Sequence, residues 1–463
     1  MQVTLYGAAG DVTGSAYYVQ NGKGSVLVDF GLYQGERMAD AGNRMPGEIS
    51  VGSLNGVLLT HGHLDHVGRL PLLAQQGYRG PVFCTDATRE VTGLVLRDSA
   101  KVQAHDLVRV NRKRERAGQP PLDPLYTGPD VEAILERFQV VSYRQPVEVA
   151  PGIRARWLEA GHILGSTSIE LTVEQEGGRR IVVFSGDLGP WGAPILRDAE
   201  PVSRADLVFL ESTYGDRDHR PLAETVKEFQ DIVRSMVSQR GKILVPTFAI
   251  GRTQQILYHL AVAFREGALT KFPIYVDSPM AVEASRIYLH HPELMDEEVQ
   301  GLQRAHSILA DLDTVHATAS PEESQTLNTV AGPCLIMAGS GMCNGGRILH
   351  HLKYNLWRPE TAVLIVGYQA AGTLGRELVE GRQTVRIFGE PIAVRASVHT
   401  LGGFSAHAGQ TDLLRWFGTM AASRPRVVLC HGEDPARQAL AAKLREQYQI
   451  EATQPGLGES VTL

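Results

Sequence analysis

Six consecutive residues, His61-Gly62-His63-Leu64-Asp65-His66, place three imidazoles and one carboxylate on a single short loop, in a chain with only 16 histidines among 463 residues. Imidazole nitrogens and carboxylate oxygens are the donors that zinc and related divalent ions take. Ligands this close in sequence can meet a metal without long-range folding. His61 and His63, two residues apart, point together, while Asp65 and His66 turn toward a second centre. A satisfied polar turn is the bland alternative, and the scarcity of histidine weighs against it. One loop cannot complete two coordination shells, so further donors are needed. Gly161-His162-Ile163-Leu164-Gly165-Ser166 offers His162 between glycines that permit close backbone approach. Ser185-Gly186-Asp187-Leu188-Gly189 offers Asp187, whose carboxylate can bridge two metals where an imidazole cannot. Taken alone, each reads as a turn residue more readily than as a ligand. Their position after strands, in this order, favours the ligand reading.

The elements that must hold these residues are short apolar strands that deliver a polar residue at their C-terminal ends. Val26-Leu27-Val28 runs into Asp29, Val57-Leu58-Leu59 into Thr60-His61, and Val182-Val183-Phe184 into Ser185-Gly186-Asp187. Loop residues at strand ends are exposed yet rigidly held, which suits chemistry. After about residue 206 the style changes. Leu207-Val208-Phe209-Leu210, Ile243-Leu244-Val245, Ile274-Tyr275-Val276, Leu335-Ile336-Met337 and Ala362-Val363-Leu364-Ile365-Val366 are near-continuous apolar runs. Segments of helical spacing such as Thr225 to Val237 and Thr253 to Phe264 lie between most of them. Buried parallel strands joined by crossover helices have this signature. The last stretch returns to the earlier style, with Val427-Val428-Leu429-Cys430 leading into His431. The expected organisation is one α/β domain inserted into another: a first domain over 1–207, an insertion over 208–395 and a return over 396–463. A chain of this length is too long for one ordinary core, which agrees.

With these residues in place, the chain resembles the metallo-β-lactamase superfamily, and its later motifs resemble the β-CASP branch. Glu211-Ser212-Thr213-Tyr214-Gly215-Asp216 is similar to the first β-CASP motif, Phe404-Ser405-Ala406-His407 to the second, and Leu429-Cys430-His431-Gly432-Glu433 to the third. The resemblance covers essentially the whole chain. It implies an αββα sandwich carrying an inserted β-CASP α/β domain with a mostly parallel sheet. It assigns His61, His63 and His162 to one zinc, Asp65, His66 and His431 to a second, and Asp187 as the bridge, so two Zn²⁺ per chain are expected. Asp29 matches the aspartate that orients the histidine loop from outside the ligand shell. His407, paired with Glu211, would be the general acid. Without the resemblance, Glu211 could equally cap a helix. His399, eight residues before His407, competes for its role, but no family motif matches it.

The implied activity is hydrolysis of RNA phosphodiesters with 5′-phosphate and 3′-hydroxyl products, on a single-stranded substrate. A histidine in the third motif is similar to RNA-processing members, whereas DNA-processing members typically carry valine there. Endonuclease action is favoured over 5′ trimming, because RNase J tends to have a histidine where this chain has Gly403. It also carries a further C-terminal domain, and archaeal relatives carry an N-terminal KH-like extension. The rivals are a 5′ exoribonuclease or a single-stranded DNA nuclease of the same family, a thioesterase or lactonase, and an inactive RNA-binding subunit. The thioesterase reading leaves the insertion unexplained, and the inactive reading conflicts with an unsubstituted ligand set. A homodimer is one open arrangement.

Other features add less. Gly339, Ser340, Gly341 and Arg347 lie in a glycine-rich strand-to-helix turn whose backbone N–H groups could hold a phosphate, as could Ser405. The turn is not a G-x-G-x-x-G fingerprint, so no dinucleotide is expected. The net charge of −6 does not itself suggest a nucleic-acid partner. Lys101 to Arg116 is locally basic, for which a solvated helix face is the commoner meaning. Four scattered cysteines without a C-x-x-C pair argue against a disulfide framework and for a reducing cytoplasm. No apolar run approaches the ~20 residues of a membrane span, and the N-terminus lacks the basic and apolar regions of a signal peptide.

Overall fold

The computed structural model of the protein describes residues 1–34, 42–175, 178–305, 308–370 and 372–463, leaving aside the side chains of 302–309; element counts refer to these. The chain folds into two compact units, 1–191 with 198–218 and 407–463, and 192–197 with 219–406.

The first unit contains two seven-stranded sheets. One runs in the order Ser460–Thr462, Gln2–Leu5, Tyr17–Gln20, Ser25–Val28, Gly56–Leu58, Val82–Cys84, Phe138–Val140. The other runs Ala452–Thr453, Arg426–Cys430, Leu207–Glu211, Gly178–Phe184, Thr167–Gln175, Ile153–Glu159, Val147–Ala150. Apolar residues of both sheets meet in one core that includes Val3, Val26, Val28, Leu58, Trp157, Ile169, Val182, Phe184, Phe209 and Val428. Strand alternation sends the intervening residues Val183, Val208, Leu210, Val427 and Leu429 to a second core with Leu413, Trp416, Phe417, Leu440 and Leu444. Those five come from the helices Gln410–Gly418 and Asp434–Tyr448. On the first sheet's side, Asp86–Arg116 packs beside Phe138–Val140. The layers are helix, sheet, sheet, helix.

Where the sheets are parallel, they bring distant stretches to one edge. Ser25–Val28, Gly56–Leu58 and Val82–Cys84 run in parallel, so Asp29 and the histidine loop leave the sheet side by side. In the second sheet Gly178–Phe184, Leu207–Glu211 and Arg426–Cys430 are also parallel, with Phe184 opposite Phe209 and Glu211 opposite Cys430. That register lines up Asp187, Glu211 and His431 at consecutive strand ends.

The second unit contains a six-stranded sheet in the order Val315–Ala317, Ile274–Val276, Cys334–Ala338, Lys242–Pro246, Thr361–Ile365, Ser397–Thr400, parallel throughout. Helices Leu222–Ser238, Arg252–Arg265, Pro279–His290 and Arg347–Asn355 lie among its strands in the chain order. Both boundaries fall about ten residues later than the strand style suggested. Leu207–Glu211 pairs within the first unit, and Ser397–Thr400 pairs with Thr361–Ile365 in the second. An apolar run has the same look in either sheet; only its hydrogen-bond partner assigns it. Among the described residues no helix is long and apolar enough to cross a membrane. All four cysteines are buried and unpaired.

Candidate metal centre

His61, His63, His162 and Asp187 have donor atoms that converge within the first unit, and so do Asp65, His66 and His431. His61 leaves the end of the strand Gly56–Leu58, whose extension is anchored by Trp157 Nε1–H donating to the Leu59 carbonyl (3.1 Å). The helix Leu64–Val67 carries Asp65 and His66. Two glycines let the loops close up. A Cβ on Gly31 would sit 1.5 Å from the Asp65 carbonyl oxygen, and one on Gly189 would sit 1.9 Å from that of Gly161.

In the first cluster, His63 Nδ1 lies 3.2 Å from His61 Nε2 and 3.1 Å from His162 Nε2. Asp187 Oδ2 lies 3.6 Å from each of those two Nε2 atoms. Donors held tetrahedrally at zinc distances would be about 3.3 Å apart, so the spacing fits. In the second cluster, His66 Nε2 is 3.4 Å from His431 Nε2, which is 3.7 Å from Asp65 Oδ2. The other oxygen of Asp187, Oδ1, faces this cluster, 3.3 Å from His66 Nε2 and 3.5 Å from His431 Nδ1. One carboxylate therefore presents a different oxygen to each group. Asp187 Oδ1 is buried yet makes no hydrogen bond. A buried carboxylate oxygen among converging nitrogens is costly to leave unmatched, and a divalent cation satisfies it.

The electrostatics agree. Burial pulls His61 well below the usual histidine range and lowers His63 to about 4, keeping both neutral and able to ligate. Burial opposes the charge on Asp187, but His431 and His66 hold its carboxyl well below the ordinary value. Burial also works against His66 and His431. There the carboxylates prevail: Asp187 and Asp29 raise His66 well above its usual value, and Asp187 and Asp65 raise His431. The pocket attracts positive charge.

Behind the ligands stands a second layer of polar groups. His66 Nδ1 lies 2.8 Å from Asp29 Oδ2, which turns the Nε2 lone pair inward. Asp29 also accepts the Thr60 backbone N–H (2.8 Å) and hydroxyl (2.7 Å). His61 Nδ1 lies 3.1 Å from Thr60 Oγ1, and His431 Nδ1 lies 3.0 Å from Thr213 Oγ1. Thr60 and Thr213 were missed from sequence, although they sit beside His61 and inside the motif that begins with Glu211. Glu211 is fully buried. Its Oε1 accepts the Leu188 N–H at 2.7 Å and lies 3.4 Å from His407 Nδ1.

The remaining expected residues lie in the second unit and have other uses there. Arg347 Nη1 donates to Asp277 Oδ1 at 2.6 Å, and Nη2 to the Ala319 carbonyl at 3.2 Å. These bonds compete with the phosphate contact expected of it. The Ser340 hydroxyl organises its own turn through Asn344 and Gly345. Gly341 packs against Phe248, and Gly339 against Gly346. Ser405 is buried, its N–H bonded to the Gly402 carbonyl. His399 belongs to the strand Ser397–Thr400 and to no donor cluster among the described residues.

Three family models match the chain: the metallo-beta-lactamase superfamily over 9–247, the Beta-Casp domain over 253–378, and the Zn-dependent metallo-hydrolase RNA specificity domain over 391–455. A relative from Thermus thermophilus, Ribonuclease TTHA0252, is 42% identical over the full length of both chains. Transcription termination factor FttA of Methanothermobacter thermautotrophicus is 30% identical over 98% of this chain and 70% of its own length. A crystal structure of a protein of unknown function from Enterococcus faecalis V583 has the same fold, with a TM-score of 0.55 at 13% identity, covering 100% of this chain and 99% of the other. With two sandwiched sheets, an inserted parallel sheet and clustered metal donors at the strand ends, the chain belongs to the β-CASP ribonuclease family of the metallo-β-lactamase superfamily.

Proposed function

We propose that the protein is a two-zinc ribonuclease that cuts single-stranded RNA internally, leaving 5′-phosphate and 3′-hydroxyl ends. The observation that carries this reading is Asp187, with Oδ2 toward His61 and His162 and Oδ1 toward His66 and His431. The RNA substrate is supported by the match to the RNA specificity domain and by the ribonuclease name of the Thermus relative. His61, His63, His162 and Asp187 would hold one zinc, and Asp65, His66, His431 and Asp187 the other. Zinc bound there supplies Lewis acidity toward phosphate oxygens and acidifies water for attack on phosphorus.

The protein's own residues then have distinct tasks. Asp29 and Thr60 hold His66 and His61 with their donor nitrogens inward. Glu211 would accept a hydrogen bond from His407 Nδ1–H, orienting the ring so that Nε2–H gives the single proton to the departing 3′ oxygen. His407 retains 19% of its side-chain exposure while Glu211 has none, as expected of a group that meets substrate and the buried group that orients it.

His407→Ala should lower kcat by about 10²–10⁴-fold with two zincs still bound. Loss of a metal would overturn its role as the acid. RNA labelled at the 5′ or the 3′ end, incubated with and without chelator, tests the rest. Internal fragments from both labels that vanish with chelator are expected. Mononucleotides released from one end would make the protein an exonuclease, and cleavage of single-stranded DNA alone would move it to the other substrate class.

A further inference from the structure

Helix Asp86–Arg116 begins against the metal loops and runs outward. Gly62 packs on Val91, and Thr85 and Thr88 both donate to the Gly165 carbonyl. Its buried residues end at Ala100, so residues 101–116 project beyond the core. In this outer half Gln103, Leu107, Asn111 and Arg114 are partly covered, whereas the other positions are exposed. The covering chain is the returning segment 119–126. Asn111 exchanges two hydrogen bonds with the Leu122 backbone (2.9 and 2.8 Å), Arg114 Nε donates to the Pro120 carbonyl (2.7 Å), and the Ser99 and Tyr126 hydroxyls pair at 2.7 Å.

On the opposite side, Lys101, His105, Arg109, Arg112 and Arg116 recur at intervals of four, four, three and four. At 100° per residue they share an arc of about 80° and form a line about 22 Å long. All five are exposed. Several other arginines of this unit are matched by carboxylates, Arg89 by Asp86, Arg97 by Glu132, Arg144 by Glu200 and Arg156 by Glu170, and those that are not, such as Arg79, Arg154 and Arg204, are scattered singly rather than aligned on one helix face. Among the described residues Lys101, Arg109, Arg112 and Arg116 have no ion pair, in a chain of net charge −6 with 51 acidic residues. A merely solvated face would mix its charges; a row of cations without ion pairs, of which Lys101 has a carboxylate (Asp98) within electrostatic reach, complements a linear polyanion.

We propose that this stripe is a track for the phosphate backbone of single-stranded RNA, engaging the strand beyond the stretch held at the metal centre. The inference rests on the ribonuclease reading and extends it. Because the stripe starts about 15 Å along the helix from Val91, only RNA long enough to reach both places feels it.

The test compares wild type with K101Q/R109Q/R112Q/R116Q, glutamine being a good helix former. Zinc content and far-UV circular dichroism serve as controls. For an unstructured RNA of about 30 nucleotides, the variant should bind at least about tenfold more weakly near 0.1 M salt. Its slope of log Kd against log salt should be shallower by about 3, or roughly 0.7 per lost phosphate contact. KM for that RNA should rise while kcat holds, and an RNA of about five nucleotides should be cleaved equally by both proteins. R109K/R112K/R116K should keep the wild-type slope, since it keeps the charge. The pair R112Q/R116Q, a smaller change to the helix, should shift the slope by about half as much. Unchanged affinity and slope for long RNA overturns the proposal. So does a shift in sedimentation with RNA binding intact, which would make the stripe a contact between copies. If wild type fails to cut RNA at all, the ribonuclease reading falls, while the Kd and its salt slope still decide whether the stripe binds the strand.

Discussion

Asp29 reaches no metal position, yet it holds His66 through Nδ1 and is itself fixed by two bonds from Thr60. Its carboxylate sets which nitrogen of His66 faces the centre. Asp29→Asn keeps the volume but can present an N–H where His66 needs an acceptor, so zinc affinity should fall by about 10–100-fold. A competitive chelator titration reads this directly, and unchanged affinity would reduce Asp29 to a turn residue. The histidine loop was legible because its residue types are rare and closely spaced, whereas His162, Asp187 and His431 were assigned through strand-end position and the family resemblance. Thr60 and Thr213 were not, since a threonine at a strand end has many structural uses and only its partner reveals which one applies.

At the scale of elements, the loops converge because two glycines remove the atoms that would keep them apart. Gly31→Ala places a methyl carbon 1.5 Å from the Asp65 carbonyl oxygen, so the helix Leu64–Val67 must shift. That helix carries Asp65 and His66. Zinc per chain should therefore drop below that of wild type, with a stability loss of about 1–3 kcal/mol. Metal analysis of the purified variant checks it.

A second polar cluster, in the inserted unit, is a structural element of its own. Asp277 follows the strand Ile274–Val276, is 1% exposed, and accepts bonds from His351 (2.6 Å), Ser324 (2.6 Å), Arg347 (2.6 Å) and Thr318. Burial opposes its charge, but His351, Ser324, Thr318 and Arg347 together hold the carboxyl well below the usual range. A depressed folded-state value stabilises the protein above the unfolded value of 3.8. That contribution fades as pH falls through the window beneath it. Asp277→Asn should cost about 3 kcal/mol at neutral pH by removing one partner of a buried pair. The gap from wild type should narrow below pH 3.8, as read from urea unfolding at neutral and acid pH. A gap that widens toward acid would contradict the assignment.

For the molecule as a whole, the expected outcome is that metal and fold are separable. The cores of both units are apolar and contain no ligand side chain, so chelation should leave the sheets in place while removing the stabilisation of bound ions. An ion at 1,000 times its Kd contributes about 4 kcal/mol. The melting temperature should then fall by on the order of 10 °C with little change in far-UV circular dichroism. Hydrogen exchange should accelerate first in the loops around His61, His162 and Asp187. Collapse of the whole spectrum on chelation would show that the ions hold the fold itself.

Local chemistry and strand style were enough, from the amino-acid order alone, to give the histidine loop, an α/β class and an inserted second unit, and the resemblance of the motifs supplied the sandwich fold and the rest of the proposed donor set. Those features are written in short windows: rare ligands on one loop, apolar runs ending in polar residues, a change from one strand rhythm to another. Tertiary structure alone decided where each strand finds its partner, and hence that the units divide after Asp218 and Ala406. It also committed Arg347 to Asp277 and left the basic face of a long helix uncovered because the returning chain lies on the other side. Pairing and burial depend on residues far apart in the chain, and even the helix's covering segment, 11 residues on from Asn111 at Leu122, could turn to either face until its hydrogen bonds are formed.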